Sequence, residues 1–178
     1  MTIPKPDPRL KLIFDKECEK ASSLFLQDGE LAFRAIFIRP DYSIVMAFVP
    51  SIPDREAKSI LYGKLQAMAT ACDAIAWVSL AESWITVNPD ITPHDDPDRK
   101  EGIAGFLIFR EDDKVWQTAM VRMITRQDDM VALDPAEVSD VRLIGDGNLN
   151  DILSATRPSS SERKRAKEVM AVFNATMH

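Results

Sequence analysis

The densest group of polar side chains in the sequence lies in the stretch TPHDDPDRKEG, between positions 92 and 102. A histidine accompanied by several carboxylates is a ligand set suited to magnesium, manganese or zinc ions. One hypothesis is therefore a metal-dependent hydrolase in which a metal-bound water is the nucleophile. An exposed acidic loop beside a hairpin explains the same residues without a metal. The candidate metal ligands are His94, Asp96 and Asp98, and Glu82 and Glu101 would complete the set of ligands.

A second candidate site consists of charged residues on segments that are otherwise apolar. Glu82 lies among apolar neighbours, and burying an unpaired carboxylate is costly, so we expect it to pair with a base such as Arg99 or Arg122 or to serve a site. Glu82, Arg99, Glu101 and Arg122 then form either a structural ion-pair cluster or the wall of a pocket. In the pocket, Arg99 and Arg122 would clamp a small anion such as a carboxylate or phosphate, as in a ligand sensor.

Three further residues could take part in chemistry. Arg34 stands alone among apolar residues, which favours a position on an edge strand or a carboxylate partner; a ligand-binding arginine is the alternative. Cys18 and Cys72 lie in segments with helical spacing and are expected to be buried free thiols; a disulfide or a metal role is the alternative. The sequence contains no G-x-S-x-G, H-E-x-x-H or C-x-x-C motif, and it names no cofactor.

Three predicted strands between Ala74 and Arg126 must position these candidates. The first, over 74–88, is apolar on both faces, which predicts a central strand covered on both sides. The other two flank the two-residue turn Asp112-Asp113 and form a hairpin. The hairpin register that this turn predicts pairs Glu111 with Lys114, Phe109 with Trp116, Leu107 with Thr118, and Ile103 with Arg122.

The remaining segments complete an α+β domain over 1–178, with a mainly antiparallel sheet of about five to six strands and flanking helices. The predicted order is α-β-β-α-β-β-β-(β)-α. Before these three strands, the sequence predicts an extended arm over 1–8, a helix over 9–27, a hairpin over 29–50 and a helix from Ser51 to about Asp73. After them, it predicts a short edge strand after 129, a short helix over 148–156 and a last helix over 159–178. A capping box, Ser159-x-x-Glu162, opens that last helix. Its basic run, which is expected to be solvated, consists of Arg163, Lys164, Arg165 and Lys167.

Composition restricts the classes of partner. The chain has 178 residues and a formal net charge of −6, so it has no general electrostatic reason to bind nucleic acid. Its N-terminal stretch contains prolines instead of an apolar helix, and no apolar run approaches the roughly 18 residues of a membrane span. The sequence therefore predicts a cytoplasmic protein with reduced thiols and no membrane partner.

The pattern Glu82-x-Trp84, followed by Pro97-x-Arg99-x-Glu101, resembles a family of bacterial and phage proteins that has no assigned biochemical activity. The resemblance implies that Glu82, Arg99 and Glu101 act as a unit, either as an ion-paired brace of the hairpin or as the wall of a site. The element order is also similar to that of roadblock-like and profilin-like domains, which bind partners and often dimerise.

The leading functional hypothesis is a non-enzymatic binding or interaction module that forms a homodimer and can bind a further protein. The sheet has two apolar faces, and the predicted helices cover one of them better than the other. The metal-dependent hydrolase and the sensor of a small anion are the alternatives.

Overall fold

The computed structural model describes residues 3–49, 55–86, 90–91, 95–128, 130–144 and 152–175. It has the predicted α+β class and element order, but the segment after β5 contributes three short strands where one was expected. The described elements are α1 (Pro8–Asp28), β1 (Phe33–Ile38), β2 (Ile44–Val49), α2 (Arg55–Ala71), β3 (Ala76–Ile85), β4 (Lys100–Glu111), β5 (Lys114–Gln127), β6 (Met130–Leu133), β7 (Glu137–Val138), β8 (Arg142–Leu143) and α3 (Ser160–Ala175).

The sheet is antiparallel and has the order β2-β1-β3-β4-β5-β6, with β7 and β8 also pairing with β5. The predicted register of the β4–β5 hairpin is confirmed at all four pairs. Asp112 and Asp113 have φ values of 50° and 54°, the left-handed conformation that a two-residue primed turn requires. Aspartate adopts this conformation more readily than most residues because its short side chain can hydrogen-bond to the local backbone.

Helix α1 covers one face of the sheet. Its residues Leu10, Phe14, Cys18 and Ala21 recur at helical spacing and pack in one buried cluster with side chains of β1, β3, β4 and β5. The helix ends at Gly29, as predicted, with φ of 79°. It begins within the predicted arm, at Pro8, because the Asp7 side chain accepts a hydrogen bond from Arg9 N at 2.7 Å and proline is favoured in the first turn.

Helix α2 covers the other face. Leu65 and Ala69 pack with Phe37, Trp77 and Ile108 in a second buried cluster. Strand β3 therefore contributes to both layers, and the prediction that it is covered on both sides is confirmed. The predicted start of α2 at Ser51 lies outside the described residues.

Helix α3 is attached to the end of α2 through Asp73. The carboxylate of Asp73 lies 2.5 Å from Arg157 Nη2 and 3.3 Å from Arg163 Nη1. The expectation that Arg163 faces solvent with the rest of the basic run was wrong, because the first turn of α3 lies beside the residue that follows α2. The capping box is confirmed: Ser159 N donates to Glu162 Oε2 at 2.7 Å, and Glu162 N donates to Ser159 Oγ at 3.3 Å.

The prediction of a short helix over 148–156 was wrong for 153–156, which are irregular; 148–151 lie outside the described residues. Part of the reason is that the Ser154 carbonyl accepts a hydrogen bond from Arg110 Nε at 2.8 Å, so it is directed at β4. None of the three described helices is long and apolar enough to cross a membrane.

Gly105 sets how closely α1 approaches the sheet. A Cβ at this position would lie 2.8 Å from Leu80 Cδ2 and 3.1 Å from Cys18 Sγ. Gly105→Ala should lower the free energy of unfolding in urea by about 1–2 kcal/mol, because the packed neighbours must move. Gly63→Ala in α2 is the control: its Cβ would meet nothing within 4 Å, so about 0.5–1 kcal/mol of stabilisation is expected. An unchanged or higher stability of Gly105→Ala would contradict this close packing.

The Asp73 ion pairs should make the attachment of α3 sensitive to acid. The hydrogen bonds from Arg157 hold the pKa of Asp73 below its ordinary value of 3.8. A lowered folded-state pKa contributes stability above the unfolded pKa, and this contribution disappears as the pH falls through the folded pKa. At pH 7, Asp73→Asn should lower the free energy of unfolding by about 0.5–1 kcal/mol, a figure discounted for solvent screening.

The check is thermal melting of wild type and Asp73→Asn between pH 7 and pH 3. The two melting temperatures should converge as the pH falls below about 4. Asparagine tolerates the left-handed φ of 55° at this position, so backbone strain does not confuse the comparison. The control is Glu168→Gln, which removes an exposed carboxylate of α3 outside the ion pairs. A constant difference at all pH values would contradict the assignment.

Candidate functional site

Glu82 and Glu101 meet at one guanidinium, that of Arg126. Arg126 Nε lies 2.7 Å from Glu101 Oε2, and Arg126 Nη2 lies 3.5 Å from Glu82 Oε1. The hydrogen bond with Glu101 raises the pKa of Arg126 above its ordinary value. Leu31 N also donates to Glu82 Oε2, at 3.3 Å. Glu82 therefore pairs with a base, as predicted, but the base is Arg126 and not one of the two examples, Arg99 and Arg122.

Arg126 was missed because it lies near the end of its strand, where the sequence is polar. Its guanidinium lies 5.6 Å from the ring centroid of Phe25, the last buried residue of α1. Phe25 packs with Ile103 and Ile124, so the end of α1 holds the guanidinium over this part of the sheet. The spacing of Arg126 and Arg122, on the same face of β5, was the available signal.

Arg99 contacts the other residue of the E-x-W pattern. Its guanidinium lies 4.7 Å from the ring centroid of the half-exposed Trp84, in cation–π geometry. Trp84 is paired across β3 and β4 with Glu101. The residues of the strand-loop-strand pattern therefore form two adjacent contacts on one face of the sheet, which favours the interpretation as a brace of the hairpin.

Arg122 lies opposite Ile103, as predicted. Its Nε is buried and has no hydrogen-bond partner in the part of the chain that the structure describes. Arg99, the residue before β4, is four residues from Ile103, which corresponds to about 13 Å of extended chain. The register therefore does not place Arg99 beside Arg122, as an anion clamp formed by the two would need.

Arg34 lies on β1, between β2 and β3, so the expectation of an edge position was wrong. Its exposed fraction is 4%. Its guanidinium lies 5.2 Å from the ring centroid of Phe48, and Nη2 lies 3.5 Å from Met46 Sδ. Within the described ranges, no carboxylate pairs with it, and Nε and Nη1 have no hydrogen-bond partner.

Asp96 stabilises the acidic loop by accepting hydrogen bonds. This residue is buried, while Asp98 is exposed. Thr86 Oγ1 donates to Asp96 Oδ2, and Asp98 N donates to Asp96 Oδ1 at 2.8 Å. His94 lies outside the described residues, and the described ones include no group of three or more His, Cys, Asp or Glu side chains that could hold a metal ion. The contacts of Asp96 connect the loop to the end of β3.

The cysteine prediction is confirmed for Cys18, a free thiol on the buried face of α1. Its burial raises the pKa of the thiol to about 12. Cys72 is also free but only partly buried, and burial raises its pKa as well. A thiol with a raised pKa is a poor nucleophile because the thiolate is the reactive form.

A cavity of about 680 Å³ lies between α2 and the sheet. It lies where β3 carries the small residues Ser79, Ala81 and Ser83, with Ala104 of β4 opposite Ala81. At the other end of β3, Trp77 fills the equivalent space under α2. The change from a large to small side chains along one face of β3 therefore leaves the space unfilled.

The cavity combines apolar walls with a few polar groups. Its apolar walls are Phe33, Val49, Leu61 and Phe106, its hydroxyl groups belong to Tyr62, Ser79 and Ser83, and its charged lining residues are Glu30, Lys58 and Glu82. A concave, mostly apolar site with a small number of polar groups is the usual form of a small-molecule site. Sequence reasoning missed it, although the alternating small residues on one face of a central strand were a readable signal.

Comparison of the chain with protein-family models, with curated proteins and with solved structures found no match in any of the three.

Asp96 should act as a structural residue of the loop. Asp96→Ala should lower the free energy of unfolding by about 1–3 kcal/mol, because the Thr86 hydroxyl and the Asp98 amide lose their acceptor. Asp98→Ala is the control, since that side chain is exposed, and its effect should stay within about 0.5 kcal/mol. Urea unfolding with EDTA and with magnesium, manganese or zinc is the measurement. Stabilisation by a metal that both variants abolish would favour the metal site instead.

Proposed function

We propose that this chain is a non-enzymatic binding module of a bacterial or phage cytoplasm, and that it acts as a homodimer joined through the edge strand β2. The observation that carries the proposal is the apolar character of β2. An edge strand of this kind, with unpaired backbone groups and no charged side chain, is a template for pairing with another chain.

Strand β2 has the sequence IVMAFV and, among the described strands, pairs with β1 alone. As far as the described residues show, its outer side is therefore available for backbone hydrogen bonds. Ile44 and Phe48 lie on the same face of the strand and have exposed fractions of 43% and 66%. Natural edge strands are usually protected by a lysine, a proline or a bulge, and Ile44–Val49 contains neither of the two residue types.

A second copy of the chain is the partner that suits this strand best. Two copies of β2 related by a two-fold axis would pair in antiparallel fashion, with Met46 opposite itself and Ile44 opposite Phe48 of the second copy. Because the strand is uncharged, two identical copies do not repel each other. The paired strands would extend the sheet through both subunits, and the side chains that are exposed in the monomer would become cross-strand pairs.

The opposite edge of the sheet, unlike β2, is protected against pairing with another chain. Strand β5 is covered along different parts of its length by β6, β7 and β8. Strand β6, which forms that edge, has only four residues, and short edge strands are a common protection against pairing.

The test is the molar mass of the wild type in solution, measured by size-exclusion chromatography with light scattering. The chain mass is 20.0 kDa, and a species of twice this mass is expected at micromolar concentration. Ile44→Lys should give a monomer, because it places a charge opposite an apolar residue of the second copy. Phe48→Thr, which removes the most exposed side chain of β2, should shift the equilibrium in the same direction.

The matched control is Met130→Lys, which puts the same charge on the other edge strand at a residue with an exposed fraction of 72%. This variant should remain a dimer. Thermal melting of each variant confirms that it is folded. A monomeric wild type, or a dimer that Met130→Lys dissociates and Ile44→Lys does not, would contradict the proposal.

A further inference from the structure

Val49 of β2 lines the cavity under α2, but Ile44 and Phe48 lie on the other face of that strand, so the role of the cavity is argued on different observations. Ser79 lies in its wall, at the centre of the sheet, with an exposed fraction of only 3%. No hydrogen bond engages the Ser79 hydroxyl in the described part of the chain. This hydroxyl is therefore available to a ligand group placed in the cavity, which would give it a hydrogen-bond partner.

Two further residues with hydroxyl groups line the same cavity. Ser83 lies on the same face of β3 as Ser79, four residues further along, which corresponds to about 13 Å of strand. Tyr62, which also carries a hydroxyl, lines the opposite wall from α2. Polar groups thus lie along the length of the cavity on two of its walls, while the surrounding side chains are apolar.

The mouth of the cavity carries charges of both signs. Lys58 and Glu30 are exposed lining residues, and neither forms a salt bridge within the described ranges. The Lys58 ammonium lies 5.7 Å from the Tyr62 ring centroid, so it is held beside the cavity. Glu82, by contrast, is already engaged by Arg126 and by the Leu31 amide. Among the described lining residues, the charges at the mouth that form no salt bridge are therefore one cation and one anion.

We propose that this cavity binds a small zwitterion with an apolar body, of the size and chemistry of an aromatic or branched-chain amino acid. The carboxylate of the ligand contacts Lys58 and accepts hydrogen bonds from hydroxyl groups of the walls. Its ammonium group contacts Glu30. Its apolar side chain packs between Phe33 and Phe106, on the floor that the small residues leave open.

The charge arrangement distinguishes a zwitterion from related ligands. A ligand with only a carboxylate would satisfy Lys58 but would approach Glu30 with a charge of the same sign. A ligand with only an amine would have the reverse problem at Lys58. A zwitterion matches both, and the apolar walls add burial energy that scales with the area of its side chain.

The experiment is isothermal titration calorimetry of the full chain with L-tryptophan, L-phenylalanine and L-leucine. At least one should bind with a Kd below about 1 mM. Tryptamine and indole-3-propionate each lack one of the two charges of tryptophan, and each should bind at least about tenfold more weakly than tryptophan. The best ligand at 100 times its Kd should raise the melting temperature by about 5 °C or more.

Three variants locate the site. Ser79→Val removes the hydroxyl and fills part of the cavity, while Lys58→Met and Glu30→Gln each remove one charge of the mouth. Each should weaken binding at least about tenfold. Lys16→Met is the control, because it removes an exposed lysine from α1, on the other side of the sheet, and it should bind as the wild type does. Thermal melting of the unliganded variants confirms that each is folded.

The outcomes that would overturn the proposal are separate from those that concern the dimer. The absence of binding by all three amino acids would overturn it, as would binding that all three variants leave unchanged. Indole-3-propionate binding as tightly as tryptophan would identify a site for a monocarboxylate and would overturn the zwitterion assignment. The Ile44→Lys variant, which is expected to be monomeric, should still bind the amino acid, since Ile44 does not line the cavity under α2.

Discussion

Both helical layers depend on β3, because the side chains of this central strand must be covered on both faces at once. Ala76, Val78 and Leu80 require α1, and Trp77 requires α2. The two requirements are met in different ways. Over β4, Gly105 lets α1 lie close to the sheet. On the other face, Trp77 fills the space under α2 at one end of β3, and the small residues at the other end leave the cavity. The position of the candidate ligand site is thus a consequence of how side-chain size changes along one strand.

Local features of the sequence predicted most of this architecture. The Asp112-Asp113 turn defined the β4–β5 register, because a two-residue hairpin leaves only one alignment of its strands. Asp28-Gly29 and the Ser159–Glu162 box marked helix ends that depend on neighbouring residues alone. The long-range contacts could not be obtained in this way. Arg126 reaches Glu82 and Glu101 because Phe25 of a distant helix packs beneath its guanidinium. Its spacing from Arg122 indicates the face of β5 on which it lies, but not which residues of other elements meet it there. The cavity likewise depends on the relative placement of α2 and β3.

The buried Arg34 connects the core to the proposed dimer interface. Its guanidinium is retained in the core with a thioether and an aromatic ring as neighbours, and both of these side chains belong to β2. The edge strand is therefore not only an exposed apolar surface, because two of its side chains also cover a charge. A change at Phe48 affects the solvation of Arg34 as well as the outer surface, and for this reason Ile44 separates pairing from folding more cleanly.

The two free thiols lie in different layers and differ in burial. Cys18 is held under α1 next to Gly105, whereas Cys72 lies at the end of α2 and is partly accessible. An alkylating reagent would therefore modify Cys72 in the folded protein and reach Cys18 only when α1 lifts from the sheet. The rate at which Cys18 is labelled would thus measure how often α1 separates from the sheet. The faster labelling of Cys72 in the same sample would provide the reference rate.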